Sequence, residues 1–143
     1  MKTLVETDNL TVTYATKKAP YVSGAFLSSL KDSILNKKYD LSISFVGQTA
    51  MRTINRNTRA IDKTTDILSF PFDDLSGEIC INLDCAQKKA KLFEMSDEDY
   101  LKYLLVHGMI HLLGHDHGQK MDALEKKITK KLHIPYPYRY TRG

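Results

Sequence analysis

Polar and apolar residues alternate over LTVTY (10–14) and again over LSISFV (41–46), the two-residue period of a strand with one buried face. Between these runs, residues 20–37 place Phe26, Leu27, Leu30, Ile34 and Leu35 at helical spacing, and Gly47 closes the second strand. QTAMRTINRNTRA (48–60) reads as a shorter helix carrying Arg52, Arg56 and Arg59. Two further strand-like runs, DILSFPF (66–72) and GEICINL (77–83), are separated by the turn-rich DDLSG. Residues 84–94 form a helical pattern that opens on Asp84, a residue suited to capping. Ser96, followed by Asp97, Glu98 and Asp99, caps and charges the start of the next helix, which runs to Gly114. A last helix, 119–132, carries Met121, Leu124, Ile128 and Leu132 on one stripe and lysines on the other, and HIPYPYRYTRG is too proline-rich to continue it. The pattern predicts an α+β fold, a small mixed sheet of about four strands packed with about five helices, as a single domain over residues 1–143.

Composition narrows the setting. The hydrophobic fraction is 42%, ordinary for a soluble domain, and no apolar run approaches bilayer-spanning length. The first residues, MKTLVETDNLTVTY, interrupt every apolar run with charge or threonine, so no secretory signal is expected and the default compartment is the cytoplasm. Cys80 and Cys85 lack the CxxC spacing of sulfur-ligated metal sites and are expected to be buried, reduced thiols. The net charge of +4 is unevenly spread. Residues 31–63 hold seven bases against three acids, 64–99 nine acids against three lysines, and 118–143 seven bases against two acids. Basic segments around an acidic middle suit a polyanionic partner, and solvated helix faces would give the same count.

The chemistry concentrates in HGMIHLLGHDH (107–117), which holds four of the five histidines. On a helix His107 and His111 project from nearly the same face, about 6 Å apart along the axis. Both rings can reach one ion with nitrogens at about 2.0–2.1 Å. Were the helix to continue, His115 would lie about 12 Å from His107, too far to share that ion. Gly114 allows the chain to end the helix and turn back. His115 and His117 are then the candidate third ligands: residue 115 follows the turn at once, whereas 117 has room to return. H-x3-H-x2-G-x2-H is also the ligand spacing of the metzincin peptidases, which selects His117 and predicts a zincin-like metal helix. Three histidines leave a fourth position open, as in catalytic zinc. Asp116 is placed to orient a ligand ring or to stabilise the turn. Gly108 stands where H-E-x-x-H peptidases carry their general base, so peptidase spacing comes here without peptidase acid–base chemistry.

HGMIHLLGHDH resembles the H-G-x-x-H-L-x-G-Y-D-H signature of the YbeY family, metal-dependent endoribonucleases of bacterial ribosomal RNA maturation. NRNTRAIDKTTDILSFPF (55–72) resembles that family's segment in which an arginine precedes T-D-V-L-S-F-P, and GEICI (77–81) resembles its following G-D-I strand. His115 replaces the usual tyrosine and Glu78 the usual aspartate. The resemblance implies that His107, His111 and His117 bind one Zn2+ per chain and that Arg59 is an active-site arginine. It further implies a single-strand-specific endoribonuclease acting in 16S rRNA 3′-end maturation and ribosome quality control, with ribosomal RNA and the small ribosomal subunit as partners. Zinc follows from ligand type, and nickel also accepts imidazole. The nucleophile, an activated water or the RNA's own 2′-hydroxyl, stays open. Arg52, Arg56 and Lys63 lie near Arg59, with solvent exposure expected for the first two; Tyr136, Tyr138 and Tyr140, alternating with prolines and Arg139, suit packing against the body more than base stacking. Two other classes fit the same residues: a metallohydrolase of another substrate, peptides included, and a non-catalytic ribosome-assembly factor whose zinc is closed by a fourth protein ligand.

Overall fold

The computed structural model describes residues 1–137. The elements follow in the order β1 (Lys2–Glu6), β2 (Leu10–Tyr14), α1 (Gly24–Ile34), β3 (Asp40–Val46), α2 (Gln48–Arg59), β4 (Ile67–Asp73), β5 (Ser76–Asn82), α3 (Leu83–Leu92), α4 (Asp97–Leu112) and α5 (Gln119–Lys131). The five strands form one mixed sheet in the order β1-β2-β3-β5-β4. β2, β3 and β5 run parallel, and the two outer strands, β1 and β4, pair antiparallel with their neighbours. Pro71 lacks an N–H and lies on the edge strand β4, where such a residue is tolerated.

The alternation read from sequence is the alternation of the sheet's two faces. Leu10, Val12, Leu41, Ile43, Phe45, Ile79 and Ile81 join α1, α3 and α4 in the main core. Val46, Leu68 and Cys80 point the other way and pack on Met51 of α2. β5 is therefore covered on both sides, which explains its nearly continuous burial. α4 is buried almost all round, from Tyr100 through Leu112, and runs through the centre of the helical layer. It meets α1, α3, α5, β4 and β5. No helix among the described residues is long and apolar enough to cross a membrane.

Several expected details shift. The strand β1 was not expected: its residues are exposed or half-buried, so no apolar stripe announces it. The first helix is shorter than 20–37, because Ser23 caps it by accepting from Phe26 N–H and Leu35 ends it. The 84–94 helix begins at Leu83, and its cap is Asn82, which accepts from the N–H groups of Asp84 and Cys85. Cys80 is buried as expected, its thiol pushed up to about 12 by burial and the neighbouring Glu78, while Cys85 is only half-buried. Tyr136 packs edge-on against Tyr103, as expected for the tail; Tyr138, Arg139 and Tyr140 lie outside the described residues.

Candidate metal centre

The helix that carries the histidines starts and stops where its sequence says. Ser96 Oγ accepts from Asp99 N–H, with three acids in the first turn. At the other end Gly114 adopts φ +94° and donates its N–H to the His111 carbonyl. A residue with a Cβ rarely adopts that backbone, and it is what turns the chain back. The return brings His117 up to His107 and His111. The three offer one ligand atom each, all within 4.8 Å of one another, and the ring centroids lie 4.7–5.3 Å apart. His115 is not part of this cluster.

Two hydrogen bonds orient the pair on α4. His111 Nδ1 lies 2.8 Å from the His115 carbonyl oxygen. His107 Nδ1 meets Glu125 Oε2, whose other oxygen accepts from the Tyr103 hydroxyl at 3.0 Å. Oxygens that only accept require the proton on Nδ1, leaving the Nε2 lone pairs for an ion. The donor set therefore fits a metal: three imidazoles within reach of one ion, two of them with the far nitrogen already satisfied. Burial and the adjacent His107 hold the His111 pKa below its ordinary value, which favours the neutral, ligating form. Burial and Glu125 push the Tyr103 phenol far up, so it remains a hydrogen-bond donor.

Residue 108 has a structural reason to be glycine. A Cβ there would lie 2.6 Å from Ile67 Cδ1 and 3.3 Å from both Ile79 Cδ1 and Ser69 Oγ. Ser69 Oγ donates to the Gly108 carbonyl at 3.2 Å. α4 thus rides directly on β4 and β5, and the position equivalent to the peptidase glutamate faces the sheet.

The histidines open into a cleft of about 910 Å3. Its wall includes Ile67, Leu68, Ser69 and Pro71 of β4, and Arg59 lines it as well. Arg59 is exposed and has no ion-pair partner among the described residues. Arg52 and Arg56, in contrast, both face Asp62, at 2.9 and 3.8 Å, on the solvent side. Lys63 lines a smaller pocket of about 350 Å3 that Arg59 shares. Asp116 is exposed at the cleft and makes no hydrogen bond among the described residues, so the ring partners are Glu125 and the His115 backbone.

Sequence reasoning missed three contributors. Glu125 sits in the buried stripe of α5 with Met121 and Thr129, and its only sequence signal is a lone acid among apolar positions. The His115 carbonyl leaves no trace in the sequence. Asp66, nearly buried in the cleft, takes Lys89 at 3.0 Å and the Tyr100 hydroxyl at 3.3 Å, an arrangement that needs three separate elements.

Comparisons with known proteins show which family the chain resembles. The family model described as Endoribonuclease YbeY matches residues 6–133. The chain is similar to the Endoribonuclease YbeY of Campylobacter jejuni strain RM1221, 38% identical over 118 residues that cover 77% of this chain and 86% of that one. It is also similar to the namesake of Leptospira interrogans, 39% identical over 126 residues, with 71% and 86% covered. Among solved structures, the solution structure of TM1509 from Thermotoga maritima superposes with a TM-score of 0.57 at 26% identity, covering 82% of this chain and 85% of that one.

Proposed function

The chain belongs to the YbeY family, and from that premise we propose that it is a metal-dependent endoribonuclease that cleaves single-stranded RNA in ribosomal RNA processing. The observation that carries the reading is the convergence of His107, His111 and His117 in a cleft that Arg59 also lines. We take residues 1–143 as one catalytic domain, zinc as the metal, one ion per chain, the 3′ end of 16S rRNA in the small ribosomal subunit as the substrate, and the cytoplasm as the place of action.

His107, His111 and His117 would hold the ion, the first two through the Nε2 atoms that their contacts at Nδ1 leave free. When bound, zinc supplies Lewis-acid stabilisation of the negative charge that builds on the non-bridging phosphate oxygens. Arg59 complements it from the chain: a guanidinium fork is permanently charged and grips two phosphate oxygens at once. The absence of a carboxylate at 108 removes the usual peptidase base, and an unpaired arginine in the cleft suits phosphate better than amide. Among the described residues no fourth ligating side chain joins the three histidines, which supports a catalytic site over a closed structural one.

The test is cleavage of single-stranded RNA, duplex RNA and casein by zinc-loaded protein, alongside Arg59→Ala. Expected are cuts in single-stranded RNA alone, and for Arg59→Ala a rate lower by about 10²–10³-fold with zinc still bound. Casein cleavage without RNA cleavage overturns the reading. Parental cleavage by Arg59→Ala overturns the role given to that residue.

A further inference from the structure

Glu125 is a carboxylate in a place suited to an apolar side chain. It lies between Met121 and Thr129 on the buried stripe of α5 and is 2% exposed. Among the described residues no lysine or arginine pairs with it; its partners are the Tyr103 hydroxyl and the His107 ring, one turn apart on α4. Burying an acid without a fixed cation costs stability that an apolar residue of similar size would not lose. Its return must therefore lie in what it does to those partners.

We propose that Glu125, anchored by Tyr103, is the positioning residue of the metal centre, fixing His107 as the Nδ1–H tautomer with its ring turned so that Nε2 meets the ion. The inference rests on the metal reading above. A carboxylate accepts and does not donate, so it selects one of the two neutral tautomers of His107. Its second oxygen is pinned by Tyr103, which leaves the first little freedom to follow a rotating ring. His111 receives the corresponding service from a neutral backbone carbonyl of the ligand loop itself. His107 depends instead on α5, the helix that begins directly after His117. The contact therefore also docks the far end of the ligand loop on the helix bearing the first ligand, and the site is oriented before the metal arrives.

The test uses the full metal-free chain without RNA. Glu125→Ala and Glu125→Gln are titrated with zinc against a chromophoric chelator, long-range 1H–15N spectra read the histidine tautomers, and metal-free melting reports the fold. Glu125→Ala is expected to weaken zinc binding about 10–100-fold and to leave His107 in mixed tautomers. Glu125→Gln, whose amide oxygen still accepts from Nδ1–H, is expected to keep the tautomer and recover part of the affinity. Parental affinity in a folded Glu125→Ala overturns the proposal. If that variant does not fold, the glutamine variant decides: weaker zinc binding at parental melting temperature supports the proposal, and parental affinity overturns it. A parent chain that binds no zinc overturns the metal reading and this inference together. Neither readout involves RNA, so an error in the substrate assignment leaves these outcomes unchanged.

Discussion

Gly108→Glu writes the peptidase motif H-E-x-x-H into α4, and the structure predicts that it breaks the fold instead of adding a base. The slot is measured by the missing Cβ, which would stand 2.6 Å from Ile67 Cδ1 and 3.3 Å from Ile79 Cδ1 and Ser69 Oγ. Alanine is the control. It gains about 1 kcal/mol in helix propensity over glycine against an overpacking cost of about 1–3 kcal/mol. The closest atom is the end of the Ile67 side chain, which can swing aside. The net is a destabilisation of about 0–2 kcal/mol, or at most about 8 °C in melting temperature for a domain of this size. Glutamate adds a Cγ and a carboxylate to the same slot, against the ends of two isoleucines. Burying an unpaired charge costs several kcal/mol more, so the total exceeds about 4 kcal/mol, a large share of ordinary stability. Thermal melts followed by circular dichroism, with casein as a protease substrate, measure both halves of the claim. A glutamate variant melting within about 5 °C of the parent, or one that gains zinc-dependent proteolysis, refutes it, because position 108 would then open on the cleft.

Three further outcomes follow from the site. His111→Ala should abolish zinc binding and with it the rise in melting temperature that zinc gives the parent, since the ion binds the folded chain alone; a zinc-dependent rise that persists removes His111 from the ligand set. His115→Ala should bind zinc with far less than the about 10–100-fold loss that follows removal of a ring partner, because the carbonyl that faces His111 belongs to the backbone and survives. Metal-free stability should be full above pH 6.5, the ordinary histidine value, and decline as pH falls through the lowered folded value of His111, because the unfolded chain takes up that proton first. Melts across this range in parent and His111→Ala check the assignment, and an equal slope in both would move it to another group.

Local periodicity made most of the fold legible. The strands β2 and β3 show as alternation because one face of each is buried, α1 and α5 show as apolar stripes, and α4 shows through its Ser96 cap and glycine stop. β1 escaped because an exposed edge strand buries too little to leave a pattern. The leucines and Ile128 make the stripe of α5 legible, but an acid is normally solvated, so nothing in the sequence marks Glu125 as buried. Asn82 hides its capping role because it is also the last residue of β5.

The candidate ligands belong to the same local category. Spacing i, i+4 on one helix, then a glycine turn, brings three histidines together within eleven residues of sequence. What prepares those histidines is set elsewhere. The His107–Glu125 contact spans 18 positions, Tyr100–Asp66 spans 34 and Ser69–Gly108 spans 39. Each depends on how closely one element approaches another, which is fixed by side-chain volumes throughout the core and by no single segment. The sequence alone therefore determined which histidines come together, through geometry internal to one helix and its turn. Only the packing of α4 against β4, β5 and α5 decided which way their rings face and why residue 108 has no side chain, and only the packing of α2 on β5 brought Arg59 to their cleft.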